Sequence, residues 1–497
     1  MDRRQFLTGF AALAAAPGAA YAQGPGAAGR TMVAQPEAMR RLAERLARLE
    51  EDGLDPQWYG LNPQTLREPA AVARAAGLAL ADLVQGRVAS LPGRIDIQRD
   101  SNPAALNAWL QQIADAAEPA LVIDRASDSI PDAAVFKAGL AAARARAAAG
   151  WPSFPVGGRT LEPGVTDEAR VTALRERLVA TDAILAASPG SGPVYDESLQ
   201  AAVKRFQAAV GTEPDGRIGI STMALLNRPP EATVNQIRVA MDMRRAAVQR
   251  GRDRRIEVNI PDYRLRVLED GRTVMDMAVV VGRPARQTPM ITTRVTSVQF
   301  NPPWGVPQRN AKEDLLPRFR RDPAAMSQRG FRVFQRVEGE LMEIDPTTID
   351  WRSINPDRFP YYIRQDAGDA NSLGRLKFIM PNSDDIYMHD TPDRHYFRRA
   401  DRAQSSGCVR LEKPMDFLTL MLDGMWDRER VDRVLASRAT SVVTLRRQLP
   451  VRLFYSTVTA EGSELRVRQD IYGLDQAYAR AMETRTRVPG VPMAAAL

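Results

Sequence analysis

Near residue 254 the spacing of apolar residues changes from helical to alternating, so at least two kinds of folding unit share this chain. In "RRIEVNIPDYRLRVLEDGRTVMDMAVVVG", Ile256, Val258 and Ile260, then Tyr263, Leu265 and Val267, fall on alternate positions. That is the period of strands with one buried face, and Asp270-Gly271 between two such runs reads as a hairpin turn. Strand character continues through "TTRVTSVQFNPPW" and returns in "GRLKFIM" and "DDIYMHD". The stretch between them, about 309 to 366, is charged and rich in Arg, Asp and Pro, and reads as irregular. An insertion of that length between strands of one sheet is expected to form a lid or capping subdomain.

Upstream, the pattern is helical. "EAMRRLAERLARLEEDG" is amphipathic and stops at Gly53, and "AALNAWLQQIADA" and "AVFKAGLAAARARAAAG" follow in the same style. "DEARVTALRERLVA" puts Val171, Leu174 and Leu178 on one face. "YDESLQAAVKRFQAAVG" aligns Leu199, Val203, Phe206 and Val210, with Asp196 as cap and Gly211 as stop. "EPDGRIGISTMALLN" adds a turn at Asp215-Gly216 and a short third helix capped near Ser221. A chain of 497 residues is expected to hold several domains. The expected class is α+β multidomain: a helical scaffold over 37–165, a three-helix unit over 166–228, and a mainly-β domain over 254–450 with the 309–366 insertion. A hairpin and helix over 451–497 close the chain.

The N-terminus, "MDRRQFLTGFAALAAAPGAAYAQG", has paired arginines, a short apolar run and Ala20-Tyr21-Ala22. It reads as a secretory signal over 1–22, with the twin-arginine form of Arg3-Arg4, and implies an exported, periplasmic protein. The formal charge of +8 does not point to nucleic acid. Only five lysines contribute, and the arginines are spread evenly among 60 acids instead of forming a patch.

The chemistry concentrates in "YMHDTPDRHYFRRADRAQSSGCVRL". Both histidines of the chain, His389 and His395, and its only cysteine, Cys408, lie within these 25 residues. One cysteine in an exported chain cannot form an internal disulfide, so it is either inert and buried or a reactive thiol. In "DIYMHD", Ile386 and Met388 share one side of a strand and Tyr387 and His389 the other. "SSGC" puts small residues before Cys408, where the backbone can approach a ligand and offer N–H donors. A base at a strand end and a thiol on a tight loop fit nucleophilic acyl transfer.

These motifs resemble two known families. Leu174, Leu178, the run Ala202 to Gln207, Asp215-Gly216, Gly219, Thr222 and Leu225-Leu226 resemble the peptidoglycan-binding domain found on many cell-wall enzymes. "HDTP" followed by "RAQSSGCVRL" resembles the signature of L,D-transpeptidases with the YkuD-type catalytic domain. That resemblance extends to "VNIPDYRLRVLEDG", "VVVGRPARQTPM", "FNPPWGVP" and "LGRLKFIMPNSDDIYMHDTP", over roughly 254–473. Many members have His before Gly-Cys where this chain has Ser406; the large periplasmic subgroup shares Ser-Ser-Gly-Cys.

The resemblance implies that Cys408 is the nucleophile and His389 the general base and acid, with Tyr387 and Arg410 lining the site. It implies a ring-orienting role for Asp390, through backbone or side chain, and oxyanion donors from the backbone of Ser406, Gly407 and Cys408. Arg410 either holds an acidic group of the substrate or braces its loop. His395 matches no signature position. The implied reaction attacks the L,D-peptide bond of a tetrapeptide stem, releases D-Ala and passes the acyl group to an amine, giving 3→3 cross-links. The implied partner is peptidoglycan, with no cofactor, metal, nucleic acid or transmembrane segment, and carbapenems are the implied covalent inhibitors. Competing readings are a sortase-like transpeptidase, a zinc carboxypeptidase using His389, Asp390 and His395, and a non-catalytic wall-binding protein. A papain-like peptidase would place its Cys before its His.

Overall fold

The computed structural model describes residues 35–89, 91, 102–150, 152–245, 253–422 and 424–484. The expected signal at 1–22 lies outside these residues. The N-terminal region is helical, with Pro36–Leu46, Pro69–Gln85, Pro103–Asp115, Pro119–Ser127 and Ala133–Ala148 as its main helices. Leu42, Leu46, Leu80, Leu83 and Ile123 form its apolar centre. Four of these five helices open on proline, which lacks only an N–H that a first turn leaves unpaired anyway.

The next unit contains the helices Glu168–Val179, Ala183–Ala187, Glu197–Ala209 and Ile220–Leu226. Asp196 caps the third through Leu199 N at 2.9 Å, and Gly211 takes a φ of +77° just past its end. Leu199, Ala202 and Val203 face the core, whereas Phe206 only flanks it. The last helix starts after Gly219 instead of near Ser221. Gln207 holds the Asp215-Gly216 turn together with Tyr195: Gln207 donates to Asp215 Oδ1 at 2.8 Å and to Arg217 O at 2.9 Å and accepts from Gly216 N at 2.8 Å, and the Tyr195 hydroxyl donates to Gly216 O at 2.7 Å. That use explains why Gln207 is buried although it sits in a polar helix.

Beyond residue 253 the chain forms strands β1 (Arg255–Asn259), β2 (Arg264–Glu269), β3 (Arg272–Gly282), β4 (Ile291–Phe300), β5 (Trp304–Val306), β6 (Phe331–Val337), β7 (Glu340–Ile344), β8 (Tyr361–Gln365), β9 (Leu376–Ile379), β10 (Met388–His389), β11 (Ala403–Ser405), β12 (Val409–Leu411), β13 (Ser441–Phe454), β14 (Val458–Glu461) and β15 (Glu464–Val467). The main sheet runs β11-β3-β12-β10-β9-β4-β13-β1-β2, and β2 pairs back onto β3 to close it. Asp270 and Gly271 both have positive φ, the two-residue turn whose twist suits a hairpin. Ile256, Val258, Leu265, Val279, Val298, Phe378 and Val409 are fully buried in its interior. Burial on this scale contributes about 1.5–3 kcal/mol per large side chain.

Residues 304–365 form a cap with their own four-stranded sheet, ordered β5-β8-β6-β7, and their own core around Phe319, Phe331 and Trp351. The cap is therefore ordered, and it begins with β5 ahead of residue 309. The boundary expected at 450 falls inside β13, because Pro450 sits within the strand opposite Arg294, just past a bulge between Thr444 and Leu449. A proline in a run of alternating residues reads as a break, but a bulge accommodates its missing N–H. The hairpin β14–β15 and the helix Leu474–Thr484 follow.

Candidate active site

Three short strands bring the site together. β10 lies between β9 and β12, with His389 opposite both Lys377 and Arg410. Met388 and Ile386 are buried in the core, so alternation turns Tyr387 and His389 to the other face. Cys408 sits one residue before β12, level with Tyr387 through the Val409 N–H to Tyr387 O bond of 3.1 Å.

Two cavities meet at Cys408. One, of about 520 Å³, is lined by His389, Arg410, Tyr396, Ser406 and Leu373. The other, of about 940 Å³, is lined by Lys377, Asp384, Asp385, Trp304 and Tyr387. Both are walled on one side by the cap. His395 is not in either lining; it lies exposed on a short 3-10 helix, its ring 4.2 Å from that of Tyr396. It is Tyr396, its neighbour, that reaches the site. His395 thus does not join His389 and Asp390, and among the described residues no group of three or more His, Cys, Asp or Glu could hold a metal ion.

His389 is 4 % exposed. Its Nδ1–H donates to the backbone carbonyl of Asp390 at 2.5 Å, and the backbone of Leu373 is a second partner of the ring. The carboxylate of Asp390 is turned elsewhere, accepting from Arg375 N at 3.0 Å. Burial, with help from the nearby Arg410 charge, pushes the His389 pKa down to about 3, so the imidazole is neutral. Burial also pushes the Cys408 thiol above its ordinary range. The side chain of Cys408 contacts Asp385 O at 3.9 Å, and the neighbouring Tyr387 and Lys377 partly offset the rise of its pKa. Among the described residues no hydrogen bond joins Cys408 Sγ to the imidazole. The resting pair is therefore thiol and neutral imidazole, not an ion pair.

Around the thiol the loop is clamped. Gly407 has a φ of +117°, in the region that favours glycine, and a Cβ there would fall 3.1 Å from Ile386 Cδ1. Its N–H is not free, because it donates to Ser405 Oγ at 3.1 Å. Ser405 Oγ in turn donates to Cys408 O at 2.6 Å. Of the three expected backbone donors, Ser406 and Cys408 keep an N–H with no acceptor among the described residues. Ser406 Oγ accepts from Arg286 Nη1 at 2.8 Å and from Asn310 Nδ2 at 3.0 Å. Arg286 is itself buried and paired with Glu313 and Asp314 of the cap, each at 2.5 Å. Ser406 thus joins the loop to the cap.

Arg410 braces its surroundings. Its Nη1 bonds Asp393 Oδ2 at 3.0 Å and its guanidinium lies 5.5 Å from the Tyr396 ring centroid, while its buried Nε has no hydrogen-bond partner among the described residues. Sequence reasoning missed Lys377, Ser405, Arg286, Thr288 and Asn310. Their signals are a lysine set opposite the histidine strand and polar residues in "ARQTP" and "QRN", which only tertiary pairing gives meaning.

Residues 253–432 match the family model described as "L,D-transpeptidase catalytic domain" (YkuD), and residues 168–226 match "Putative peptidoglycan binding domain". A "Putative L,D-transpeptidase" of Haemophilus influenzae is 40 % identical over 247 residues, 50 % of this chain and 49 % of that protein. The chain thus spans about half the length of the curated relative it matches. Among solved structures, an L,D-transpeptidase from Xylanimonas cellulosilytica aligns over 60 % of this chain and all of its own, at 14 % identity and a TM-score of 0.19. An Ldtfm–avibactam carbamoyl enzyme aligns over 51 % of this chain and 80 % of its own, at 11 % identity and the same TM-score, 0.19. Among the described residues no helix is long and apolar enough to cross a membrane. The chain carries a YkuD-type L,D-transpeptidase catalytic domain at 253–432, with a domain of the peptidoglycan-binding family ahead of it at 168–226.

Proposed function

We propose that this protein is a peptidoglycan L,D-transpeptidase that works through a thioester on Cys408. The observation that carries this reading is the pairing, in one capped cavity, of the chain's only thiol with a neutral histidine whose ring is held by the Asp390 carbonyl. On substrate binding the thiol proton passes from Cys408 to His389. The sulfur then attacks the carbonyl between the third stem residue, a diamino acid, and the terminal D-Ala. The Cys408 N–H, with Ser406 N–H beside it, stabilises the oxyanion. His389 returns the proton to the departing D-Ala amine, and the C–N bond breaks. An acceptor amine next attacks the thioester, gives up a proton to His389, and releases Cys408 as thiol with a new amide bond. When the amine is the side chain of a second stem, the product is a 3→3 cross-link. The cap supplies the enclosed walls and Arg410 holds the loop through Asp393. The signal expected at 1–22 supports a periplasmic setting for this chemistry.

The test is the product. Incubation with tetrapeptide muropeptides should yield free D-Ala and dimers with diamino acid–diamino acid links in tandem mass spectra. Folded Cys408→Ala should yield neither, since no second thiol exists. Dimer formation by that variant would overturn the reading.

A further inference from the structure

We propose that Thr288 is a positioning residue that aims the Cys408 N–H, so that the oxyanion hole is preset from outside the histidine–cysteine stretch; this rests on the reading of Cys408 as an acylated nucleophile. In a planar trans peptide the carbonyl of one residue and the N–H of the next point in opposite directions. Whatever holds Gly407 O therefore sets the direction of Cys408 N–H. Thr288 Oγ1 donates to Gly407 O at 2.7 Å. Its one hydroxyl proton has no other use, because Oγ1 accepts from Gly282 N at 2.8 Å and the residue is 1 % exposed, out of reach of bulk water.

Thr288 is itself held. Its N–H donates to the Tyr472 hydroxyl at 3.1 Å, and that hydroxyl donates to Gly282 O at 2.6 Å. Gly282 admits this close wrapping because a Cβ there would collide with the backbone of Arg286 and Thr288. The other side of the loop is fixed by Ser405, which occupies the N–H of Gly407 and the carbonyl of Cys408. Between these clamps the Gly407–Cys408 peptide has its carbonyl bonded and its N–H open. Without Thr288 Oγ1, the peptide beside a glycine of φ +117° has little to stop it rotating.

The experiment compares two reactions of the same sulfur in the full chain. With p-nitrophenyl acetate the thiolate adds to the acetyl carbonyl, an oxyanion forms and collapses, and p-nitrophenolate leaves. With iodoacetamide the sulfur bonds a saturated carbon as iodide leaves, and no oxyanion forms. Thr288→Val should lower acetylation at least about tenfold, below the full loss of an oxyanion donor because the N–H remains but is misaimed. Alkylation should stay within about twofold, and Thr288→Ser, which keeps the hydroxyl, should acetylate within about threefold of the parent. Tyr472→Phe loosens Thr288 from behind and should shift the acetylation-to-alkylation ratio the same way by severalfold; it carries the test if Thr288→Val does not fold. An unchanged ratio in these variants, whether both rates hold or both fall together, would overturn the assignment. If the parent is acetylated at Cys408 but never by a tetrapeptide stem, the proposed substrate fails and the role of Thr288 stands.

Discussion

A neutral imidazole and a raised thiol set the reactivity of this site. His389 owes its low pKa to burial and Cys408 its high one to the same cause, so neither charge is favoured until substrate arrives. Alkylation of free enzyme by iodoacetamide, which follows the thiolate, should therefore keep rising with pH through the ordinary thiol range and beyond it. A midpoint well below that range would mean a resting ion pair and contradict this picture. His389→Ala should lower acylation by about two orders of magnitude or more, as expected for a lost general base. His395→Ala should stay within about threefold, since its exposed ring lies outside both cavity linings. Single-turnover rates for the two variants decide between them.

At the scale of elements, the C-terminal helix Leu474–Thr484 is fastened by a buried carboxyl. Asp475 contacts Gln236 Nε2 at 3.0 Å and the Thr457 hydroxyl, and burial next to Asp470 pushes its pKa up to about 7. A carboxyl with a folded pKa above its unfolded value stabilises most when protonated, below the unfolded value, and this stabilisation is lost as pH rises through about 7. Thermal melts should show the parent losing stability between pH 5 and 8 relative to Asp475→Asn, which stays neutral. Parallel pH curves would remove Asp475 as the cause.

The same elements show how far residues alone could be read. Strands β1 to β3 were legible because alternation and an Asp-Gly turn are local signals. The face shared by Tyr387 and His389 was legible for the same reason. The cap sheet was not: β6 to β8 mix arginine and acid with Phe331, Val333 and Ile363, and their pairing is settled by a separate core instead of by alternation. Gly407 reads from sequence as a source of a donor, yet Ser405 takes its N–H, a contact between residues whose spacing carries no pattern. Thr288 lies 120 residues before Cys408 in the chain, and only closure of β3 against β11 and β12 brings them together.

At the scale of the molecule, the helix Pro230–Arg244 leads out of the 168–226 domain and packs on both the scaffold helix Ala133–Ala148 and the C-terminal helix. Asp242 on it accepts from Arg87 N at 2.8 Å and from the Tyr478 hydroxyl at 2.7 Å, joining three regions at one carboxylate. The 168–226 domain is thus tied to the catalytic sheet through shared helices. We propose that it holds wall material, and deletion of 168–226, once the remainder is shown to fold, should reduce co-sedimentation with purified sacculi. Unchanged co-sedimentation would assign that domain a packing role only.

The central claim is a covalent one, a thioester between Cys408 and a tetrapeptide stem. Intact-mass analysis of the full chain quenched in acid during turnover, followed by peptide mapping, reads it directly. We predict an added mass equal to that of the tetrapeptide stem less one free D-Ala, which carries off the thiol proton, located on the peptide that carries Cys408 and absent from Cys408→Ala. Cross-linked product accumulating with no adduct at Cys408, or an adduct on any other residue, would contradict it.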